Sequence, residues 1–189
     1  MAADTSASLG FSITDTGHAS KPSRIDDEVV SLFEQLRAPV LRYLLSFGIP
    51  VPDAEEVLQD VFLKLFQHLR QGKSRANLQG WIFRVAHNEA LKSRQRTRRH
   101  SSRFTHLPEF FDVTSDPGPG PEESLAATQR RLGLLAVVRA LPEQDRCCLS
   151  LRAEGLRYRE IAEVLGISIG SVAASLEKSL SRLTRSEQT

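Results

Sequence analysis

Residues 52–103 hold two helical patterns of different character joined by one short loop, and this stretch limits the possible folds most strongly. In the first pattern, apolar residues recur at intervals of three and four, the spacing of one buried helix face. Asp53 is placed to cap the helix, with Glu56 three residues later in capping-box position. The buried face comprises Ala54, Val57, Leu58, Val61, Phe62, Leu65, Phe66 and Leu69.

The opposite face of this first helix carries a second stripe at helical spacing, which is mostly acidic and amide. It consists of Glu56, Gln59, Asp60, Leu63 and Gln67. A core helix needs only one apolar stripe, so the second stripe indicates a surface that meets a partner.

The second pattern begins at Leu78 and combines an apolar face with a basic one. The apolar face comprises Leu78, Trp81, Ile82, Val85 and Ala86. Arg84, Asn88, Lys92 and Arg96 recur every four residues on another face, and Arg94, Arg98, Arg99 and Arg103 add to the positive charge. An acidic helix beside a basic one predicts a protein that contacts another protein and a polyanion together.

Net charge is only +2 over 189 residues, so the distribution of charge is more informative than its sum. Cys147 and Cys148 are adjacent, lack metal-site spacing and indicate a reducing compartment. No run of about 18 apolar residues occurs, and no secretory signal is visible, so we expect no membrane insertion and a cytoplasmic location. No nucleophile–base set or glycine-rich phosphate loop is present. We therefore predict a non-enzyme without cofactor or metal.

The chain divides by composition into helical and non-helical stretches. We predict an all-α protein with a disordered arm at 1–24, a helical bundle at 25–103, a Pro/Gly linker at 104–123, a second helical domain at 124–185 and a tail at 186–189. The first helix is expected to begin after Asp26 and Asp27, and Pro39 should kink or split it. Pro142 is expected in the first turn of a helix in the second domain.

Residues 158–172 carry a helix-turn-helix pattern. Ile161 and Leu165 are predicted to face inward, Gly166 permits a left-handed turn, and Ser168 can cap the next helix. Val172 of the second helix is then predicted to pack against the first helix. Trp81, Tyr158 and the two cysteines are interpreted as packing residues, with redox sensing by the cysteines as a minor alternative.

Four segments in order resemble the bacterial sigma factors of the extracytoplasmic-function group of the sigma-70 family. They are DAEEVLQDVF at 53–62, GWIFRVAHN at 80–88, ALPEQDR at 140–146, and YREIAEVLGISIGSV at 158–172. The resemblance implies a region 2-like bundle that binds core RNA polymerase and melts the −10 element. It also implies a region 4-like helix-turn-helix that binds the −35 element. The implied partners are the β′ clamp and β flap of the polymerase, promoter DNA and, as a candidate, an anti-sigma factor.

The resemblance also assigns residues to three surfaces. It implies polymerase binding by Glu56, Gln59, Asp60, Leu63 and Gln67. It implies −10 contacts by Lys73, Arg75, Asn77, Arg84, His87, Asn88, Lys92 and Arg96. It implies −35 contacts by Arg157, Arg159, Ser168, Ser171, Lys178 and Arg182. Polar loops with stacking surfaces hold unstacked bases, and spaced cations neutralise phosphates, so these roles are physically reasonable.

The second domain departs from the family pattern at residues 173–175. Cations expected on the recognition helix are replaced by Ala173 and Ser175, and Glu177 adds a negative charge. This departure supports an alternative hypothesis, a sigma-like polymerase-interacting protein with weakened −35 recognition. A helix-turn-helix repressor that works without polymerase is a third hypothesis, but it leaves the acidic stripe unexplained.

Overall fold

The computed structural model describes residues 24–100 and 121–187, and every regular element within these ranges is an α-helix. The predicted all-α class is confirmed. No helix in this part of the chain combines the length and apolarity needed to cross a membrane. The helices are α1 (Arg24–Ser46), α2 (Val51–Arg70), α3 (Leu78–His100), α4 (Pro121–Arg139), α5 (Glu143–Ala153), α6 (Tyr158–Leu165) and α7 (Ile169–Glu187).

Helices α1, α2 and α3 form the N-terminal half, which we define as residues 24–100, because each contributes one apolar face to a shared core. Phe33 of α1 meets Phe62 of α2 edge to face, with ring centroids 4.9 Å apart. Tyr43 packs in the same way on Phe83 of α3, at 5.8 Å. Such pairs add about 0.5–1.5 kcal/mol beyond the area that they bury. Phe83 is fully buried although the predicted apolar face of α3 did not include it.

Two predictions at helix ends need correction. Asp53 does not cap α2, because Pro50 occupies the N-cap position and no side chain caps the helix by a hydrogen bond. Asp53 instead lies in the first turn, where its charge still favours the N-terminus. In the same way, Pro142 is the N-cap of α5 and does not belong to its first turn.

Helix α1 begins at Arg24, before Asp26 and Asp27, and it continues through Pro39 as one helix, so the predicted split does not occur. A proline lacks the N–H that would pair with the carbonyl four residues earlier, so the helix loses one hydrogen bond there. The apolar residues on both sides of Pro39 remain packed on the core, which keeps the two segments in one element.

Helices α4 to α7 form the C-terminal half, residues 121–187, in which α7 packs against α4, α5 and α6. Leu151, Ile161 and Val172 are fully buried at its centre. The predicted division into arm, linker and tail is not tested, because residues 1–23, 101–120 and 188–189 lie outside the described residues. Helix α4 begins at Pro121, within the last residues predicted as linker.

The two halves are packed against each other. Helix α6 lies on α3, and α5 lies on α1. The buried residues of both halves belong to one hydrophobic cluster, which runs from Val40 and Tyr43 in α1 to Cys147 and Leu151 in α5. In this conformation, helices α5 and α6 of the second half therefore lie directly against α1 and α3 of the first half.

Candidate protein and nucleic-acid interfaces

The outer face of α2 presents the acidic and amide stripe to solvent. Its five members are exposed, while Val57, Val61 and Leu65 on the opposite side are buried. Leu63 lies within the stripe and is 54% exposed, so an apolar side chain stands among carboxylates and amides. A face of this kind offers one apolar anchor surrounded by polar groups, the arrangement found at protein–protein contacts. Its members are Glu56, Gln59, Asp60, Leu63 and Gln67.

The loop between α2 and α3 is fully exposed over residues 71–77. Its shape depends on Asn77, which has a φ of 51° and whose Oδ1 accepts a hydrogen bond from the Gly80 N–H at 3.0 Å. A Cβ at Gly80 would lie 2.5 Å from Nδ2 of Asn77, so any other residue at position 80 would shift the Asn77 side chain out of this cap. Arg75 donates to Glu28 of α1 at 3.1 Å, which fixes the loop to the bundle. Lys73 is exposed in the same loop.

The predicted basic row lies along the exposed side of α3. Arg84, Asn88, Lys92 and Arg96 are all exposed, and their spacing of four places them on one face. Glu89 lies beside the row and accepts hydrogen bonds from Lys64 at 2.6 Å and from Lys92 at 2.9 Å. Burial raises the pKa of this carboxyl, but the two lysines outweigh burial and leave the pKa below its usual value. Glu89 therefore stays ionised and orients Lys92.

His87 does not lie with the exposed row. Its Nδ1 is 2.7 Å from the Tyr43 hydroxyl, and its ring packs edge to face on Phe47 at 5.4 Å. Burial lowers the pKa of His87, partly offset by the charge of Glu143, so the ring is neutral near pH 7. Its contact with DNA stays a prediction, and in this conformation its partners are within the protein.

Trp81 lies at the junction of the loop and the basic row. Its ring centroid is 4.5 Å from that of His68, and it is partly buried rather than part of the deep core. Trp81 lines a small pocket with Ala76, Asn77, Gly80 and Arg84 of the first half and with Glu160 and Glu163 of α6. The structure thus brings an aromatic face and a guanidinium together beside the loop, a combination suited to an unstacked base.

The helix-turn-helix of α6 and α7 forms as predicted. Gly166 has a φ of 66° and closes α6, and its N–H donates to the Ala162 carbonyl. Ser168 Oγ accepts from the Ser171 N–H at 3.0 Å and so caps α7. The Arg157 N–H donates to Glu160 at 2.7 Å, which fixes the start of α6. These local contacts fix the ends of the two helices, whose apolar faces pack on the common core.

Helix α7 is well capped, but its exposed face carries few charged side chains near its start. Ala173 and Ala174 are exposed where charged side chains would meet DNA. Ser175 is buried and receives a hydrogen bond from Gln144 at 3.3 Å, so position 175 supports α5 and could not contact DNA. The predicted −35 residues with cationic side chains, all exposed, are Arg157, Arg159, Lys178 and Arg182. Arg185, which the sequence reasoning missed, lies near Lys178 and Arg182.

Two family models match the chain in the same order as its two halves. The model described as Sigma-70 region 2 matches residues 32–100. The model described as Sigma-70, region 4 matches residues 131–183. The first match contains the α2 face, the loop and the basic row, and the second contains the helix-turn-helix.

Two similar proteins from different organisms are both described as RNA polymerase sigma factors. The RNA polymerase sigma factor CnrH of Cupriavidus metallidurans is 30% identical over 148 residues, which are 74% of this chain and 75% of that protein. The RNA polymerase sigma factor YlaC of Bacillus subtilis is 26% identical over 153 residues, which are 80% of this chain and 87% of that protein.

A solved structure shares the overall fold. It is the sigma factor RpoE in complex with the anti-sigma factor NepR from Bartonella quintana. The TM-score is 0.64 at 19% identity, over 86% of this chain and 98% of the other.

Proposed function

Because the chain belongs to the extracytoplasmic-function sigma factors of the sigma-70 family, which direct RNA polymerase to promoters, we propose which of its surfaces binds polymerase and which bind promoter DNA. The α2 face docks on the β′ clamp of core polymerase. The 71–77 loop and the basic row of α3 hold the melted −10 strand. The helix-turn-helix approaches the −35 element and the β flap, and the protein acts in the cytoplasm and contributes no catalytic group.

The exposed α2 face is the observation that supports the docking role. Leu63 is 54% exposed on a helix whose opposite face is packed on the core, so its side chain is available to a partner. The surrounding carboxylates and amides complement a basic partner surface and add on-rate and specificity. Lys64 on the same helix holds Glu89, so the docking helix and the basic row are joined directly.

The −10 role rests on the loop and on α3. Exposed Arg84 and Arg96 can neutralise phosphates. Each such contact adds about 0.7–0.9 to the slope with which the logarithm of the binding constant falls with the logarithm of the salt concentration. Trp81 and Arg84 beside the loop offer planar surfaces to a base that has left its stack.

A docking test uses Glu56→Lys with Gln59→Ala in the full chain. Reversal of a charge at the centre of an interface costs several kcal/mol, so we expect co-purification with core polymerase to fall about a hundredfold. Glu34→Lys with Gln35→Ala is the matched control, because both residues are exposed on α1 outside the α2 face. Unchanged co-purification of the first variant would exclude α2 as the docking surface.

An anti-sigma factor is a further proposed partner. Its support is a shared fold with a sigma factor solved in such a complex.

Run-off transcription with purified core polymerase tests whether the chain directs initiation at promoters, and specific initiation would support that function. Polymerase binding without initiation would instead favour the alternative in which −35 recognition is lost, as the neutral Ala173 and Ala174 surface would suggest.

A further inference from the structure

The loop of residues 71–77 is exposed along its whole length, yet groups from all three helices of the N-terminal half hold it. An exposed loop buries little apolar surface, so burial alone does not fix its conformation. Helix α2 holds it through His68, and α1 holds it through Glu28. Helix α3 contributes the Gly80 N–H, which Asn77 caps. The contacts that shape the loop therefore come largely from residues outside it.

His68 of α2 holds the first part of the loop in two ways. Its main-chain carbonyl accepts a hydrogen bond from the Lys73 N–H at 3.3 Å, and its Nε2 lies 2.8 Å from the Ser74 carbonyl. A carbonyl oxygen can only accept, so Nε2 carries the hydrogen. The same ring lies 4.5 Å from the ring of Trp81, centroid to centroid. One side chain therefore fixes both the loop backbone and the aromatic ring that lines the adjacent pocket.

Arg75 holds the second part of the loop against α1. Its Nε donates to Glu28 Oε2 at 3.1 Å, and the two residues are 47 positions apart in the chain. The two side chains are 55% and 32% exposed, and a pair this exposed adds little to global stability. Its effect is local, because it determines where the loop lies. A guanidinium that is already paired with a carboxylate also offers less charge to a phosphate.

We propose that His68, Glu28 and Arg75 are positioning residues, which hold the 71–77 loop ready for an unstacked base without contacting the DNA. A loop that is ordered before binding loses less conformational entropy when the base enters, so binding is tighter and base preference is sharper. This inference rests on the proposed −10 role of the loop. It reassigns Arg75 from a DNA contact to a residue that acts through the loop, and it adds one residue of α1 and one of α2 to the site.

Removal of the Glu28 carboxylate separates the two roles of Arg75, because they predict changes of opposite sign. Glu28→Ala removes a negative charge and releases Arg75. Release of a phosphate contact would tighten DNA binding and steepen the salt slope. Release of a positioning contact should weaken binding about threefold and leave the salt slope unchanged. Binding is measured by anisotropy, with reconstituted holoenzyme and fluorescein-labelled DNA of mixed sequence that contains an unpaired bubble.

Glu34→Ala is the matched control, because it removes the same charge from an exposed site on α1. This variant should bind the bubble DNA as the parent chain does. Tighter binding by the Glu28→Ala chain than by the control would overturn the positioning role, and so would equal binding.

Exchange of the two partners gives a second test of Arg75. Arg75→Glu alone places two carboxylates together and should weaken binding about tenfold. Arg75→Glu with Glu28→Arg restores the pair in reverse, so we expect an affinity within about twofold of the parent chain. If Arg75 contacted a phosphate, the exchanged chain would stay as weak as the Arg75→Glu chain. That result would overturn its positioning role.

Three substitutions divide the contribution of His68 into its two contacts. His68→Gln keeps an N–H donor for the Ser74 carbonyl, His68→Phe keeps a ring against Trp81, and His68→Ala removes both. We expect His68→Ala to weaken bubble binding about tenfold and the other two to retain part of the affinity. A bubble with randomised unpaired bases, sequenced after binding, should show a flatter base preference for His68→Ala at an unchanged salt slope. A His68→Ala chain with the affinity and base preference of the parent would overturn the proposal.

Loop order is measured without DNA or polymerase, by trypsin cleavage after Lys73 in the full chain followed by mass spectrometry. Glu28→Ala and His68→Ala should speed this cleavage several-fold relative to Glu34→Ala, because proteases cut mobile loops. Cleavage after Lys64, inside α2, should stay equally slow in all three chains, which shows that the helices remain folded. Equal cleavage after Lys73 in the three chains would overturn the proposal.

The proposed −10 role can fail separately from the positioning role. Arg84→Ala with Arg96→Ala removes two cations of α3 that lie outside the loop. If that chain binds the bubble as tightly as the parent, the −10 role itself is overturned. If that chain binds weakly while Glu28→Ala binds as its control does, the −10 role stands and only the positioning role is overturned.

Discussion

Both halves of the chain are helical scaffolds, but they differ in the polar and charged side chains that they expose for binding. The N-terminal half carries an exposed acidic and amide stripe on α2 and four regularly spaced polar or cationic residues on α3. The C-terminal half has a well-capped helix-turn-helix, yet α7 presents Ala173 and Ala174 to solvent. Caps and apolar spacing determine a scaffold, whereas exposed side chains determine what it binds, so one can be retained while the other changes.

The largest expected effect tests whether the halves are independent in stability. Phe83→Ala empties a fully buried site, so we expect a loss of about 3–5 kcal/mol in the free energy of unfolding. Because one cluster joins the halves, Cys148 in the C-terminal half should become reactive over the same urea range in which Trp81 emission changes. A Cys147→Ala background isolates the Cys148 signal. Two separate transitions would show that the halves unfold independently.

The next effect compares the DNA-binding contributions of the halves at equal charge change. In reconstituted holoenzyme, Arg84→Ala with Arg96→Ala should weaken binding to DNA with an unpaired bubble about tenfold or more and lower the salt slope by about two units. Lys178→Ala with Arg182→Ala should have a clearly smaller effect, because the neutral Ala174 and the negative Glu177 lie beside these two cations. Equal losses would contradict the idea that the N-terminal half dominates DNA affinity.

A variant that should gain DNA affinity tests the same difference between the two halves. Ala173→Lys adds a cation on the exposed side of α7, so we expect about threefold tighter binding of duplex DNA and a salt slope steeper by about one unit. Ala38→Lys adds the same charge on exposed α1 and serves as the control. If both variants bind DNA equally, the α7 surface makes no specific contribution.

The smallest effect concerns pH. Burial lowers the pKa of His87 below the ordinary value of 6.5, so the unfolded chain binds this proton more readily than the folded chain. Stability from this site is complete above pH 6.5 and decreases as the pH falls through 6.5 toward the folded pKa. Tyr43, Arg94 and Glu143 are the titratable or charged groups around the ring.

His87→Gln should remove this pH dependence, measured as the urea midpoint between pH 7.5 and 5.5. His68→Gln is the control, since its ring binds the Ser74 carbonyl on the other side of the bundle and should leave the slope intact. A slope that survives His87→Gln would assign the dependence to other groups.

Local patterns predicted the helices and the turn between α6 and α7, because the responsible contacts join residues close in sequence. Gly166 and Ser168 are examples, since each acts within three or four positions. Of the two alternatives predicted at Pro39, the split does not occur, because packing on both sides outweighs one missing hydrogen bond.

Contacts between distant segments left no pattern in the sequence. Phe83 falls outside the apolar stripe of α3, yet Tyr43 of α1 covers it. The pairing of Arg42 with Glu154 spans more than half the chain, and no periodicity of either helix indicates it. The exposure of the α2 stripe was predictable because it is a property of one helix, whereas the pocket that Trp81 shares with α6 requires two helices.

Glu89 has a geometric consequence. It is gripped from α2 by Lys64, a neighbour of Leu63, and from its own helix by Lys92. These contacts join α2 beside Leu63 to Lys92 of α3, so the surfaces proposed to bind polymerase and DNA are connected before either partner binds. A polymerase bound to α2 would therefore meet a DNA strand bound to α3 at a distance that the Glu89 contacts set.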